Sequence, residues 1–389
     1  MKIGLVLSKP PSYSETFFIS KIKGLQDSGH QVTLFVQDNP KGFNLCKVVL
    51  APKTYKGKLR MLFSGCWETL KLVAYPNRIR TFMRLEKQAL KSFPQRLKNL
   101  YNNAHVLKAN LDWLHFGFAT LTIQSESVAE TIGAKMATSL RGFDIAIYPV
   151  RHPGCYDLLW RKIDKVHAIS NDLLMLARNN GLNTNTEFQI ITPAINSDLF
   201  SKTNSQKTKP RDVIRFLTVA RLHWKKGITD MLDALAILKK NGLLFTYTVV
   251  GTGDDYENLM FAVHQLGLND EVEFVGQKSH DAIVTYLSES DVYLQYSISE
   301  GFCNAVLEAQ AMGLLCVVSD AEGLQENVIH QETGVVVPKR QPQLLAKAIE
   351  NLLLLPEDRQ QRMMKDAQER VRLHFNLEKQ RKEFLEFYE

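Results

Sequence analysis

A strand-like run, Val292 to Gln295, leads into the segment SEGFCNAVLE, which spans Ser299 to Glu308. Its two carboxylates, Glu300 and Glu308, flank the predicted start of a helix near Asn304. A strand that ends in a short loop and enters a helix is the repeating unit of a parallel α/β sheet. The first backbone N–H groups of such a helix are free to hold an oxygen-bearing ligand. The segment therefore predicts the fold class and a ligand site together.

The two glutamates have the chemistry to hold a sugar or a ribose. A carboxylate pair accepts hydrogen bonds from a diol. With a helix beginning near Asn304, Glu308 lies about one turn inside the helix and Glu300 precedes it. Each glutamate alone also has a structural explanation, because an acid near a helix N-terminus is favourable and a glutamate at the edge of a core is common. The pair, together with Gly301 between them, favours a ligand site.

The same alternation of strand-like and helical stretches extends over nearly the whole chain. A polar stretch without periodicity, residues 201–212, is the best candidate for a linker. The sequence therefore predicts two doubly wound, Rossmann-like α/β domains, residues 1–200 and 213–370, that face each other across a cleft. The terminal segment, residues 371–389, is predicted to be a helix that packs back on the first domain.

Composition excludes several classes of protein. The 389 residues are 45% hydrophobic and 23% charged, which is typical of globular chains and not of disordered or collagen-like ones. No apolar run approaches the ~18 residues of a membrane-spanning helix, and the apolar run at the amino end is too short for a secretory signal. The five cysteines are scattered, in a pattern that suits neither a zinc site nor a disulfide framework. We expect a protein of the reducing cytoplasm.

Positive charge is concentrated in residues 51–100. This segment holds twelve Lys and Arg residues against Glu68 and Glu86, a balance of +10, whereas the whole chain carries +7. Apolar residues recur between the bases at helical spacing, which predicts amphipathic helices with a cationic face. Such a face suits an anionic membrane surface, with the protein peripheral on the inner face of the cytoplasmic membrane. A solvated helix face is the equal alternative, and nucleic acid is disfavoured because no aromatic-studded basic strand accompanies the bases.

The second predicted domain opens with a phosphate-binding pattern. The strand Ile214 to Ala220 runs into Arg221, and Lys226 precedes Gly227 and the next helix. Two cations beside a helix start suit a diphosphate, although Arg221 paired to an acid and Lys226 in solvent would explain this fragment equally well by itself. The next strand ends in Gly251-Thr252-Gly253. A pattern of this kind often serves only a tight turn, and without a third glycine it does not match the dinucleotide fingerprint.

The order of these motifs resembles the carboxyl-terminal domain of the retaining glycosyltransferases of family four, which have the two-domain GT-B fold. The resemblance rests on Arg221, Lys226-Gly227, Gly251-x-Gly253, Val275-Gly276, Glu300 and Glu308-Ala309. The first half resembles the same family more loosely, through His115-Phe116-Gly117 and the stretch Arg141 to Ile145. These last motifs are similar to those of enzymes that build bacterial exopolysaccharide, capsule or lipid-linked glycans.

The resemblance implies a role for each matching residue. Arg221 and Lys226 would bind the donor pyrophosphate, Glu308 the ribose, and Glu300, as a catalytic residue, the transferred sugar. The other donor-binding positions that it implies are Gly227, Gly251, Gly276, Lys278, Gly301, Phe302, Cys303 and Asn304. Many relatives carry a histidine near the sugar where this chain continues into Arg141, so Arg141 and His115 are the further catalytic candidates. A histidine at a strand end is also typical of a structural role.

The expected function is therefore that of a retaining hexosyltransferase. It would use a UDP- or GDP-linked sugar as co-substrate, without a cofactor, and a lipid-linked or polysaccharide acceptor. No Asp-x-Asp pair occurs in the sequence, so we expect no metal requirement. Two alternatives stay open: a non-catalytic regulator that binds a nucleotide or sugar, and a dinucleotide-dependent oxidoreductase or epimerase. The latter is disfavoured because no GxGxxG follows the first strand. The sequence predicts no oligomeric state.

Overall fold

A computed structural model describes residues 1–11, 16–55, 57, 68, 70–197, 199, 200 and 212–389. They form two compact units, one of Met1–Ile191 with Gln380–Glu389 and one of Thr192–Lys379. The predicted linker, residues 201–212, lies outside the described residues except for Asp212. Within the described ranges, no helix combines the length and the apolar character needed to cross a membrane.

The first unit is built on a seven-stranded sheet with the order β3-β2-β1-β4-β5-β6-β7, in which every neighbouring pair is parallel. The strands are β1 (Lys2–Val6), β2 (Gln31–Val36), β3 (Lys47–Leu50), β4 (Trp113–Phe116), β5 (Lys135–Leu140), β6 (Lys165–Ala168) and β7 (Glu187–Ile190). The strand order reverses between β1 and β4. At such a switch point the loops after the two strands diverge and leave a crevice that commonly holds a ligand.

Helices cover this sheet. They are α1 (Thr16–Asp27), α2 (Pro76–Gln88), α3 (Phe93–Asn102), α4 (Ala104–Leu107), α5 (Val128–Ile132), α6 (Tyr148–Arg151), α7 (Asp157–Lys162) and α8 (Asn171–Asn179). A 3-10 helix spans Ala119–Thr122 and a π-helix spans Phe143–Ile147. The start of α3 is set by Ser92, whose hydroxyl accepts a hydrogen bond from the Gln95 N–H, and by a proline in its first turn.

The second unit repeats the architecture with a six-stranded parallel sheet of order β10-β9-β8-β11-β12-β13. Its strands are β8 (Ile214–Val219), β9 (Phe245–Val250), β10 (Val272–Gly276), β11 (Val292–Gln295), β12 (Leu315–Ser319) and β13 (Val335–Val337). Here the order reverses between β8 and β11, so the loops after these two strands border the switch point.

The helices of the second unit include α12, which begins at Asn304 as predicted. Among the described residues, the α-helices of this unit are α9 (Ile228–Lys240), α10 (Tyr256–Gln265), α11 (His280–Glu289), α12 (Asn304–Ala311), α13 (Leu324–Asn327), α14 (Pro342–Leu353) and α15 (Glu357–His374). The core lies between the sheet and the apolar face of α9, where Met231, Leu232 and Leu235 are fully buried. Two parallel α/β sheets confirm the predicted fold class.

The last helix, α16 (Leu377–Tyr388), contributes to the core of the first unit. The side chains of Phe384, Phe387 and Tyr388 are buried there. The indole N–H of Trp113 donates a hydrogen bond to the Tyr388 carbonyl at 3.0 Å. Aromatic burial of this kind is a large favourable term, and the end of the chain thereby belongs to the first unit.

Candidate functional site

The loops after β8 and β11 bring Lys226 and Glu300 into contact. The Lys226 ammonium forms an ion pair and hydrogen bond with Glu300 Oε2. The two residues are 74 positions apart, and they meet because β8 and β11 are neighbours at the switch point. The Ile298 N–H also donates to the Lys225 carbonyl at 2.7 Å, which joins the backbones of the two loops. A residue predicted to bind phosphate therefore lies beside one predicted to bind sugar.

Gly227 permits this close approach. Its φ of 60° is left-handed, and a Cβ at this position would lie 2.1 Å from the Tyr296 carbonyl oxygen. Only glycine combines that backbone conformation with that clearance. Gly227 directly precedes α9. The helix therefore begins where the loop after β8 contacts the residues that follow β11.

The loop after β8 concentrates positive charge. Arg221 is exposed, Lys225 is half-buried, and Lys226 is held by its carboxylate partner. Burial alone lowers the pKa of Lys226, but the Glu300 carboxylate outweighs burial and raises the pKa above the ordinary lysine value. Lys226 is therefore charged at neutral pH. Cations collected at the end of a strand create the field that a diphosphate requires.

Glu322 also contacts Glu300, although no sequence motif predicted Glu322 as a site residue. Its Oε2 accepts the Glu300 N–H at 2.8 Å, and its Oε1 pairs with Lys339 Nζ at 3.2 Å. The Gly323 N–H donates to the Glu300 carbonyl at 2.9 Å, and a Cβ on Gly323 would lie 1.9 Å from the Gly301 carbonyl oxygen. The position of Glu322 shortly after β12 could have indicated that it belongs to the site. The carboxyl ends of neighbouring parallel strands lie at the same edge of a sheet.

Buried contacts hold the segment that follows Gly301 in place. The Phe302 ring is buried against Phe375, with 5.6 Å between ring centroids. The Cys303 N–H donates to Asn327 Oδ1 at 3.0 Å, and the Asn327 amide donates back to the Cys303 carbonyl at 3.1 Å. The Cys303 N–H is therefore used within the protein, whereas Gly301 and Asn304 are half-buried at the predicted site.

Glu308 lies one turn into α12 and is buried. Burial raises the pKa of its carboxyl group to about 8, because a charged carboxylate is poorly solvated there. No described residue donates a hydrogen bond to this carboxyl group. At neutral pH the group is therefore largely protonated, and a ligand that donates hydrogen bonds would favour its ionised form.

The two glycines after β9 have a structural reason. Gly251 has a φ of 148°, and a Cβ there would lie 1.9 Å from the Ala220 carbonyl oxygen. A Cβ on Gly253 would lie 2.0 Å from the Leu222 carbonyl oxygen. The loop after β9 thus packs directly against the backbone that carries Arg221, which only glycine permits.

Gly276 and Lys278 follow β10, the edge strand. Gly276 has a φ of 72°, and its carbonyl accepts the Gly251 N–H at 2.9 Å. Lys278 is half-buried. It follows the edge strand β10, which is separated from β8 by β9, so it lies farther from the Lys226–Glu300 ion pair than the loop after β9 does. Gly276 therefore supports the loop after β9, and Lys278 lies toward the rim of the same sheet edge.

In the first unit, Arg141 follows β5 and is held by aromatic rings. Its guanidinium carbon lies 4.4 Å, 4.7 Å and 5.5 Å from the ring centroids of Phe17, Phe18 and Phe118. Its backbone N–H donates to the buried Asp144 carboxylate at 3.0 Å. Cation–π contacts of this kind fix the orientation of a guanidinium. A positive charge is thereby placed at the carboxyl edge of the first sheet.

His115 is only 1% exposed and belongs to a chain of buried hydrogen bonds. His167 Nε2 donates to the Ile191 carbonyl at 3.0 Å, so its Nδ1 accepts from the Ser139 hydroxyl at 2.8 Å. Ser139 Oγ then accepts from His115 Nε2 at 2.8 Å, and His115 Nδ1 accepts from the Tyr388 hydroxyl at 2.8 Å. The Ile191 carbonyl oxygen can only accept a hydrogen bond. It therefore fixes which atom donates at each step of this series of hydrogen bonds, in which both imidazoles are neutral.

A buried lysine adjoins this chain. The Lys21 amine lies 3.3 Å from His115 Nδ1 and 4.4 Å from the centroid of the Phe384 ring. Burial and the positive charge of Arg141 hold the pKa of Lys21 well below its usual range, and burial with Lys21 does the same for the pKa of His115. His115 thus lies inside the core of the first unit, where it joins β4 to the last helix.

Comparisons with known proteins agree with this architecture. Residues 200–370 match the family described as Glycosyl transferases group 1. The chain is 27% identical over 410 residues to the putative colanic acid biosynthesis glycosyltransferase WcaL of Salmonella typhimurium, covering 97% of this chain and 96% of that protein. It is 28% identical over 200 residues to the N,N'-diacetylbacillosaminyl-diphospho-undecaprenol alpha-1,3-N-acetylgalactosaminyltransferase of Campylobacter jejuni, covering 51% of this chain and 50% of that protein.

A solved structure supports the fold. The Anabaena protein Alr3699/HepE, crystallised with UDP and glucose, superposes with a TM-score of 0.73 at 18% identity and covers 99% of this chain and 98% of its own. Two parallel Rossmann-like sheets with this likeness show the GT-B fold. Residues 200–370 carry the group 1 glycosyltransferase domain, and nearly the whole chain is similar in sequence to a bacterial glycosyltransferase.

Proposed function

We propose that the protein transfers a hexosyl group from a UDP- or GDP-linked sugar to a lipid-linked or polysaccharide acceptor in the synthesis of a cell-surface glycan. The observation that carries the proposal is the contact between Lys226 and Glu300 at the switch point of the second sheet, beside Arg221. The names of the relatives from Salmonella and Campylobacter, which refer to colanic acid and to a diphospho-undecaprenol acceptor, support the acceptor class.

The chemistry follows from the charges that develop during transfer. When the bond between the sugar and the phosphate breaks, negative charge grows on the leaving diphosphate, and Lys226 and Arg221 stabilise it. Hydroxyl groups of the sugar donate hydrogen bonds to the Glu300 carboxylate. Lys226 and Glu300 also pair with each other, and this contact keeps both side chains in position for the ligand.

The proposed reaction proceeds with retention of the anomeric configuration. The acceptor hydroxyl attacks the anomeric carbon on the face from which the diphosphate departs. A new bond forms between the acceptor oxygen and the anomeric carbon, and the acceptor proton passes to the departing phosphate oxygen. Arg221 and Lys226 supply the positive charge, and the sequence has no Asp-x-Asp pair, so the proposal includes no divalent metal and no cofactor.

The cytoplasm is the proposed location of this reaction. The described cysteines Cys46, Cys155, Cys303 and Cys316 are all free thiols, and three of them are buried. Free thiols of this kind are typical of proteins in a reducing compartment.

The protein, screened against UDP, GDP, ADP and their sugars, is expected to show a raised Tm with one nucleotide series, because a bound ligand stabilises the folded state. We also expect slow release of the nucleoside diphosphate from the matching sugar without acceptor. Stabilisation without any turnover, with or without lipid-linked or polysaccharide acceptors, would favour the non-catalytic regulator. NAD is included in the same screen, and stabilisation by NAD alone would favour the dinucleotide enzyme.

Glu308 gives the nucleotide affinity a predicted pH dependence. Its raised pKa, about 8, keeps the free carboxyl protonated at pH 7, whereas a ribose diol donates to the carboxylate. Binding should therefore release protons, and affinity should rise as the pH increases from 6 to about 8. Calorimetry in buffers of different ionisation enthalpy measures the release. Glu308→Gln should abolish it, and proton release that persists in Glu308→Gln would remove Glu308 from the ribose site.

A further inference from the structure

The helical hairpin formed by α2 and α3 ends in a group of apolar and basic side chains, which we call the hairpin tip. Its members come from the last turn of α2, the connecting turn and the first turns of α3: Lys87, Leu90, Lys91, Phe93, Arg96 and Leu97. Leu90 is 93% exposed, Phe93 56% and Leu97 45%. Three large apolar side chains so close along the chain, all exposed, are typical of an interaction site and not of an ordinary solvated surface.

The backbone displays Leu90 in a conformation that leucine disfavours. Leu90 has a φ of 59°, its N–H donates to the Lys87 carbonyl at 3.0 Å, and the Lys91 N–H donates to the Glu86 carbonyl at 3.1 Å. This pair of hydrogen bonds is the Schellman arrangement that ends many helices, and its left-handed position is usually a glycine. A leucine at this position strains the turn and packs against nothing in the described part of the fold. Contact with a partner outside the protein explains the leucine better than a structural role does.

The surroundings of the hairpin tip are strongly positive. Residues 76–103 hold seven Lys and Arg residues and one acid, Glu86. That acid is buried and accepts hydrogen bonds from Asn99 and Ser127, so it does not reach the surface.

Three of the bases, Arg80, Arg84 and Lys87, are exposed and recur at the spacing of one helix face. None of the three forms an ion pair with a residue in the described part of the chain. This stripe of unneutralised charge runs along α2 toward the hairpin tip.

We propose that the hairpin tip docks the protein on an anionic lipid bilayer. Leu90, Phe93 and Leu97 enter the boundary between headgroups and acyl chains, and the bases contact lipid phosphates. Apolar burial and attraction to anionic headgroups add together in such interfacial binding. A soluble polyanion would use the bases but not the three apolar side chains. The inference goes beyond the proposed transfer reaction and does not depend on it.

The test is sedimentation of the full chain with phosphatidylcholine vesicles, with and without phosphatidylglycerol, at low and high salt. The unaltered protein should bind the anionic vesicles, and more weakly at high salt. The triple variant L90S/F93S/L97S should lose about tenfold or more in partitioning at both salt concentrations. The variant R84E/K87E should lose about tenfold at low salt and its preference for phosphatidylglycerol.

One substitution separates the surface role of Leu90 from folding. Glycine is favoured at a left-handed position, so Leu90→Gly should keep or raise the Tm while it lowers vesicle partitioning about fivefold or more. Matched controls are L354S, at a leucine that is 82% exposed in the second unit, and R359E/K365E, at exposed bases of α15. Both controls should bind vesicles like the unaltered protein.

Two results would overturn the proposal. One is absence of binding to anionic vesicles at low salt. The other is full binding of the L90S/F93S/L97S and Leu90→Gly variants with loss only in R84E/K87E, which would make the surface a site for polyanions in general. Because these measurements use neither donor nor acceptor, their failure would leave the transfer reaction untouched, and an inactive protein could still bind vesicles.

Discussion

Lys226→Ala is expected to lower the kcat of sugar transfer by about 10²- to 10³-fold while the protein stays folded. Lys226 is the cation held at the switch point, and the diphosphate becomes most negative in the transition state. The substitution also leaves the half-buried Glu300 carboxylate without its ion-pair partner. Initial rates with the nucleotide sugar identified by the Tm screen measure the effect, and far-UV circular dichroism monitors the fold.

Lys239→Ala is the matched control for Lys226→Ala. Lys239 lies in the same unit and pairs with Glu271 at 2.7 Å, on the outer end of α9. Lys239 is exposed and its partner Glu271 is half-buried, so loss of the pair should lower Tm only slightly, and activity should stay near that of the unaltered protein. Full activity in Lys226→Ala would show that the diphosphate is stabilised elsewhere and would remove the central element of the proposed mechanism.

Glu300→Gln is expected to lower kcat about 10- to 100-fold and to leave nucleotide affinity unchanged or raised. Glutamine keeps the size of the side chain but removes the charge that strengthens hydrogen bonds from the sugar hydroxyls. It also frees Lys226 from its carboxylate partner, which favours contact with the diphosphate. The split between kcat and nucleotide affinity, from initial rates and calorimetry, distinguishes a sugar contact from a phosphate contact.

Glu271→Gln provides the corresponding control, because Glu271 pairs with Lys239 away from the switch point. It should leave both kcat and affinity unchanged. An unaltered rate in Glu300→Gln would remove Glu300 from the catalytic residues.

Features that depend only on neighbouring residues along the chain were predictable from the order of the amino acids. Strand-like runs followed by helical periodicity were sufficient to predict two parallel α/β units, and the segment after Val292 to Gln295 predicted a helix that begins at Asn304. The excess of bases in residues 51–100 was also readable, because charge is counted without knowledge of packing. Local preferences of this kind survive folding when the tertiary structure agrees with them.

Contacts between residues far apart in sequence depend on how the whole chain packs. The ion pair between Lys226 and Glu300 exists because β8 lies beside β11, a strand order that no local pattern encodes. Glu322 reaches the Glu300 N–H for the same reason.

Burial was likewise a tertiary outcome. The packing of the chain buries His115 in the core of the first unit and exposes Leu90. Burial also raises the pKa of Glu308 to about 8. Strand order and burial depend on the packing free energy of the whole chain, in which residues far apart in sequence compete for the same interior.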